Sequence, residues 1–175
     1  MGNQQALADL YDWYMPRVYR YVLARVGSVH EAEDLTEEIF LKMLSSIGDF
    51  RWKSVPFSAW LFRIAHNEVV SHFRKRQNRN RLAPLFEGIV DDRQDLEALT
   101  EHRLTVEDVT RAAAELPEAQ REVIALRFAV GLSIAETAQA LGKREGNIKA
   151  LQHKAVARLQ KALGARVGEG KRAAS

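Results

Sequence analysis

Cysteine is absent from this 175-residue chain. That excludes disulfides, thiolate metal sites and cysteine nucleophiles, and it fits a reducing cytoplasm. Proline is scarce at four residues and glycine at ten, so little interrupts regular structure. No apolar run is long enough to span a bilayer. The opening residues, MGNQQALADLYDWY, lack the basic-then-apolar order of a secretion signal, and Ala6 stands where a myristoylation signal prefers Ser or Thr. Alternating strand patterns and low-complexity repeats are missing. So are a Gly-rich phosphate loop and a nucleophile elbow. His66 and His72 are six residues apart, on different sides of a helix, rather than at the i, i+4 spacing that chelates one metal. These absences point away from an enzyme, a metal or other cofactor, and membrane insertion. They leave a soluble, all-α, cytoplasmic protein as the expectation.

What is present is apolar periodicity and blocked charge. Hydrophobic residues make up 46% of the chain, enough for a packed core, and the formal net charge is only +3. Its distribution is uneven. Residues 61–82 carry six basic side chains against one acidic, a net +5. Residues 83–110 carry two against eight, a net −6, and residues 143–172 carry nine against two, a net +7. Two basic blocks flanking an acidic one suggest two polyanion-binding units and a connector.

Leu7, Leu10, Tyr11, Tyr14, Val18, Tyr21 and Val22 recur at steps of three and four, which predicts a helix over residues 4–26 with a kink or break at Pro16. A second helix, Val29 to Ile47, buries Ala32, Leu35, Ile39, Met43 and Leu44, and acidic residues crowd its first turns, as the helix dipole favours. After a loop from Phe50 to Pro56, a third helix runs to about Arg76 with Leu61, Ile64, Ala65, Val69 and Phe73 on its apolar side. Residues 77–104 read as a polar, acidic linker punctuated by Pro84 and Gly88. A C-terminal unit starts near Thr105. Pro117 suits the first position of a helix carrying Val123, Ile124 and Leu126 to Phe128, and Gly131 breaks it. Ser133 and Glu136 form a capping box, the last helix ends near Leu163, and the small, basic tail is expected to be disordered. The expected domains are thus residues 1–80, a linker at 81–104, residues 105–165 and a tail at 166–175.

Within Leu132 to Leu159, Ala138, Gly142 and Ile148 have the spacing of a helix-turn-helix. Ala138 must be small where the second helix crosses, Gly142 can adopt the positive φ of the turn, and Ile148 anchors the second helix. A plain helical hairpin would use the same residues. The capping box and the basic charge favour DNA binding, with Arg144, Glu145, Asn147, Lys149, Ala150, His153 and Lys154 as candidates for the major groove. The third helix interleaves Trp60, Phe62 and Phe73 with Arg63, His66, Asn67 and the terminal Arg74, Lys75, Arg76 cluster. Aromatic rings can stack on unpaired bases while cations track the backbone. Trp60 and Phe73 taken alone read better as core.

In this order, three segments resemble region 2 of the extracytoplasmic-function (ECF) sigma factors: LYDWYMPRVYRYV, EAEDLTEEIFLKML and FSAWLFRIAHNEVVSHFRKR. The stretch ELPEAQREVIALRFAVGLSIAETAQALGKREGNIKALQHKAVARL resembles their region 4. The resemblance covers residues 7–76 and 105–163. It implies that Asp34, Leu35, Glu38, Ile39 and Leu41 dock on the clamp helices of the largest subunit of core RNA polymerase. Region 4 would meet the β-subunit flap. Phe50, Trp52, Arg63, His66, Asn67, Arg74, Lys75 and Arg76 would capture and melt the minus-ten element, the last helix would read the minus-thirty-five element, and the acidic linker would thread the polymerase cleft. Promoter DNA and an anti-sigma factor are the further partners implied. The sequence departs from the family where Lys149-Ala150-Leu151 replaces the usual Lys-Ser-Arg and His153-Lys154 follows, so a distinct minus-thirty-five sequence is expected. No long extension follows the last helix, so regulation by an appended domain is not expected. A stand-alone helix-turn-helix regulator and a helical protein adaptor are the rival readings.

Overall fold

The structure, a computed structural model, describes residues 2–51, 55–82 and 106–173, and every regular element among them is helical. Helix α1 spans Gly2–Val26, α2 Val29–Ser46 and α3 Phe57–Leu82, with a short 3-10 turn at Ile47–Asp49. Helix α4 spans Val106–Ala114, α5 Glu118–Ile124, α6 Ile134–Leu141 and α7 Glu145–Ala173. A π-helical turn, Ala125–Val130, extends α5.

Helices α1 to α3 bury the periodic residues. Val18, Tyr21, Val22, Ala32, Ile39, Met43, Leu61, Phe62, Ala65 and Val69 are essentially inaccessible to solvent. Each large side chain among them contributes about 1.5–3 kcal/mol of transfer free energy. Tyr21 meets Phe62 edge-on at 5.8 Å, the geometry that ring quadrupoles favour. Leu44, expected in the buried stripe, is exposed instead. Glu68, also buried, is neutralised across the α2–α3 seam by Lys42 Nζ at 2.5 Å. The start of α2 is capped by Ser28, whose hydroxyl accepts from the Glu31 amide.

Two helix ends differ from the sequence expectation, and of the kink or break expected at Pro16 the break does not occur. Helix α1 runs unbroken through Pro16. Proline removes one amide donor, and the helix retains its remaining ladder while Arg20 Nε donates to the Pro16 carbonyl at 3.2 Å. Helix α3 continues past Arg76 to Leu82 because neither glycine nor proline occurs before Pro84. Helix α7 continues past Leu163 to Ala173, through most of the segment expected to be a disordered tail. Single glycines there cost about 1 kcal/mol each, and the intervening Ala, Arg and Lys are good helix formers. The linker expected at 81–104 lies almost wholly outside the described residues.

The C-terminal unit follows its punctuation. Pro117 stands just before α5 at the cap position, with φ −53°. The π turn closes on Gly131, whose φ of +86° is the left-handed conformation that glycine adopts without strain. The capping box forms in full. The Glu136 amide donates to Ser133 Oγ at 3.1 Å, and the Ser133 amide donates to Glu136 Oε2 at 2.8 Å. Gly142, φ +62°, ends α6, and Val123, Ala138 and Ile148 form a small core flanked by Ile134, Leu141 and Leu151. The helix-turn-helix expected from spacing is therefore present.

The two units are packed together. Ala125, Leu126, Val130, Leu132 and Ala140 are buried in the same cluster as the α1–α3 core, with α1 against the π turn and α3 against α6.

Candidate nucleic-acid interface

Seven candidate residues at the C-terminal reader, Arg144, Glu145, Asn147, Lys149, Ala150, His153 and Lys154, are all solvent-exposed. The Arg144 carbonyl accepts from the Asn147 amide at 2.9 Å and the Ile148 amide at 3.2 Å, fixing the first turn of α7. Ile148 and Ala155 face the core and orient the opposite side outward. Asn147, Ala150 and Lys154 recur at steps of three and four and line one shallow groove with Lys143 and Leu151. Lys149 and His153 form a neighbouring stripe. Arg127 braces the helix from behind: its Nε donates to Gln152 Oε1 at 2.9 Å, and its Nη1 donates to the Leu132 carbonyl.

The N-terminal candidates divide. Asn67, Arg74, Lys75 and Arg76 are exposed on α3. Arg76 Nη1 is 3.4 Å from Glu31 Oε2, and His72 Nε2 is 3.8 Å from Glu31 Oε1, so the α2 carboxylate partly neutralises the basic end of α3. Phe50 is buried, not free to meet a base. It packs on Phe57 and Trp60 at ring separations of 5.5 and 4.8 Å, because the chain turns back onto α3 there. Trp60 and Phe73 pack against the core, as their apolar spacing suggested. Trp52 lies outside the described residues.

Arg63 and His66 are engaged by the other unit. Arg63 Nη2 donates to the Gln139 carbonyl of α6. His66 Nδ1 lies 2.8 Å from Glu122 Oε1 of α5. On α2, Leu35 and Ile39 are buried in the chain's own core, so they cannot form a docking surface. Asp34, Glu38 and Leu41 share an exposed face with Leu44, and Leu41 is 66% exposed.

Sequence reasoning missed the residues that join the units. Glu122 is buried and accepts from the Tyr21 hydroxyl as well as from His66. Arg25 Nη2 lies 2.5 Å from Glu118 Oε1 and 3.5 Å from Glu122 Oε2. Burial alone would raise the Glu122 carboxyl, but the His66 hydrogen bond and the Arg25 charge hold it below the usual carboxylate range. Burial and the neighbouring Glu122 charge push the Tyr21 hydroxyl well above its ordinary value. Ser58 on α3 donates to Glu136, the capping-box carboxylate. Burial would raise that group too, yet the Ser58 and Ser133 hydrogen bonds keep it low. No local signal marks these contacts, since the partners are 56 to 101 residues apart in the chain.

Residues 10–79 match the family model of sigma-70 region 2, and residues 112–161 match sigma-70, region 4. The chain is 41% identical over 167 residues to the ECF RNA polymerase sigma factor BldN of Streptomyces coelicolor, covering 93% of this chain and 62% of BldN. It thus spans less than two thirds of that relative's length. It is 34% identical over 167 residues to the ECF RNA polymerase sigma factor SigD of Mycobacterium tuberculosis, covering 91% of this chain and 77% of SigD. Among solved structures, the sigma factor RpoE in complex with the anti-sigma factor NepR from Bartonella quintana superposes with a TM-score of 0.75 at 25% identity, covering 91% of this chain and 98% of RpoE.

Proposed function

The chain belongs to the ECF family of RNA polymerase sigma factors, which initiate transcription without catalysis of their own, and from that premise we propose a division of labour among its helices. The exposed face of α2 carrying Asp34, Glu38 and Leu41 docks on the clamp helices of core polymerase. Its mixture of two carboxylates and apolar surface suits a basic, partly apolar partner. Region 4 meets the β-subunit flap. An anti-sigma factor is the regulatory partner, by analogy with the RpoE–NepR pair.

Promoter DNA is divided between the two basic helices. The loop before α3 and the α3 face with Arg63, His66 and Asn67 take the minus-ten element, with Arg74, Lys75 and Arg76 on phosphates. Extruding a base from the duplex costs a few kcal/mol, which contacts to the flipped base must return. Helix α7 enters the major groove at the minus-thirty-five element. Asn147 or Lys149 reads base edges and Lys154 holds phosphate.

The observation that carries this reading is the pairing, on one chain, of a helix-turn-helix with its basic face outward and a second basic helix that starts in an aromatic cluster. Run-off transcription from a library of genomic fragments tests it. Purified core polymerase should start at a discrete set of sites only when the chain is added. Charge reversal at Asp34→Lys and Glu38→Lys should abolish both the starts and co-purification with core, while the variant stays folded. Tight duplex binding by the chain alone, with no effect on polymerase, would assign it instead to operator-binding regulators.

A further inference from the structure

The outward side of α7 is not uniformly basic. Lys143, Asn147, Ala150, Leu151 and Lys154 line one shallow groove of about 270 Å³. Asn147, Ala150 and Lys154 follow one another at steps of three and four, so they share one face of the helix. Lys143 joins them from the turn that follows Gly142. The two amino groups and the carboxamide supply hydrogen-bond donors, and no carboxylate lines the groove. Its apolar part is Ala150, which is exposed, and Leu151, which is half-buried. In chain order both lie between Asn147 and Lys154.

Each part of this lining matches something that the major groove of DNA displays. Ammonium groups attract phosphates and do not choose among sequences. A carboxamide can pair with both N6 and N7 of adenine. An apolar floor has one apolar counterpart on the base edges, the C5 methyl of thymine. A polar base edge set on Ala150 would give up water without gaining a partner, whereas a methyl group leaves water favourably. Helix α7 is held with this face outward. Ile148 and Ala155 are buried behind it, and Arg127 Nε donates at 2.9 Å to Oε1 of Gln152, the residue after Leu151. Ala150 and Leu151 are also two positions at which the chain departs from the family pattern, and both departures put an apolar side chain in place of a hydrogen-bonding one.

We infer that Ala150, backed by Leu151, seats the methyl group of one thymine in the minus-thirty-five element, so that this base is selected by apolar contact rather than by a hydrogen bond. Asn147, one turn earlier, is then placed at the adjoining base edge, and Lys143 and Lys154 hold phosphate on either side. This role of Ala150 rests on the assignment of α7 to the minus-thirty-five element, and it names the chemical group that is read there.

Deoxyuridine lacks only that methyl group and pairs with adenine as thymine does. Library transcription first gives the upstream element that holoenzyme prefers. Promoter duplexes then carry deoxyuridine in place of each thymine of that element, one at a time, and holoenzyme binding is measured by competition. The parent should bind at least one substituted duplex roughly fourfold more weakly, the factor for one methyl group withdrawn from water. Ala150→Ser sets a hydroxyl in the groove at an exposed position, and should bind the thymine and deoxyuridine forms of that duplex alike. Lys154→Ala should weaken both forms and keep the parent's ratio between them. A parent indifferent to every deoxyuridine, a preferred element without thymine, or a parent ratio kept by Ala150→Ser at every sensitive position would overturn the methyl seat while leaving α7 as the reader. A holoenzyme with no upstream preference at all would strike the minus-thirty-five assignment itself, and the methyl seat with it.

Discussion

Helices α3 and α7 are both long and basic, and both belong to the units that family models match, yet the structure treats them differently. Every candidate DNA side chain on α7 faces solvent. On α3, Arg63 and His66 are held by α6 and α5, while Asn67, Arg74, Lys75 and Arg76 are exposed, Arg76 beside Glu31 of α2. The packing behind the two helices differs as well. Helix α3 lies on a large core of fully buried residues, whereas α7 is anchored mainly by Ile148 and Ala155 over a small one. A basic helix thus need not expose all of its basic side chains; the packing of its neighbours decides which ones face solvent.

The largest effect should come from the core that the two units share. Phe62→Ala removes a fully buried ring and should cost about 3–5 kcal/mol. Because region 4 packs into the same cluster, chemical denaturation should move as one transition. Two resolved transitions, with only the N-terminal one shifted, would show that the units are independent and the comparison of helices overstated.

Acid should act at the join. The Glu122 carboxyl is held below its ordinary value in the folded chain, so its contribution is present at neutral pH and is lost as pH falls through that lowered value. Titration from neutral pH into acid should separate the units, read as an increase in radius by small-angle scattering. In Glu122→Gln the radius should already be large at neutral pH and respond less to acid. An identical response in parent and variant would remove Glu122 from the join.

The exposed face of α7 should give smaller, sequence-dependent effects. Asn147→Ala or Lys149→Ala should cost about 1–3 kcal/mol and relax one promoter position, as a lost base contact does. Lys154→Ala should weaken all promoters alike and lower the salt slope of holoenzyme binding by about one. Promoter-library transcription combined with a salt series separates the two classes. If none of the three changes either quantity, α7 is not the reader. The smallest change expected is for Ser133→Ala, which removes the α6 cap and should cost about 1 kcal/mol by thermal melting.

Local rules made much of this legible. The capping box at Ser133 and Glu136, the glycine turn at Gly142 and the buried Ile148 each have a short-range cause, and each is where the spacing puts it. Helix ends were less legible. Composition alone made Gln77 onward look like linker and Gly164 onward look like tail, although no proline lies between Gln77 and Leu82 or anywhere after Gly164. The π turn after α5 has no sequence signature short of Gly131. On α2, Leu35 and Ile39 were read both as core and as docking residues; burial shows they serve the core, and Asp34, Glu38, Leu41 and the overlooked Leu44 make the exposed face. The contacts of Tyr21, Arg25 and Ser58 with Glu118, Glu122 and Glu136 were not legible at all. Such pairs are set by how two amphipathic units meet, and periodicity records only that each unit has a face to bury.

Thiol labelling measures the contrast between α3 and α7 most directly. Cysteine introduced as Ser58→Cys on the covered face of α3, or as Ala150→Cys on the open face of α7, is the only thiol in its chain. In free protein, position 58 should label at least about tenfold more slowly than position 150, as a site reached only through opening does. Equal rates in the free chain would contradict the contrast between a covered α3 face and an open α7 face.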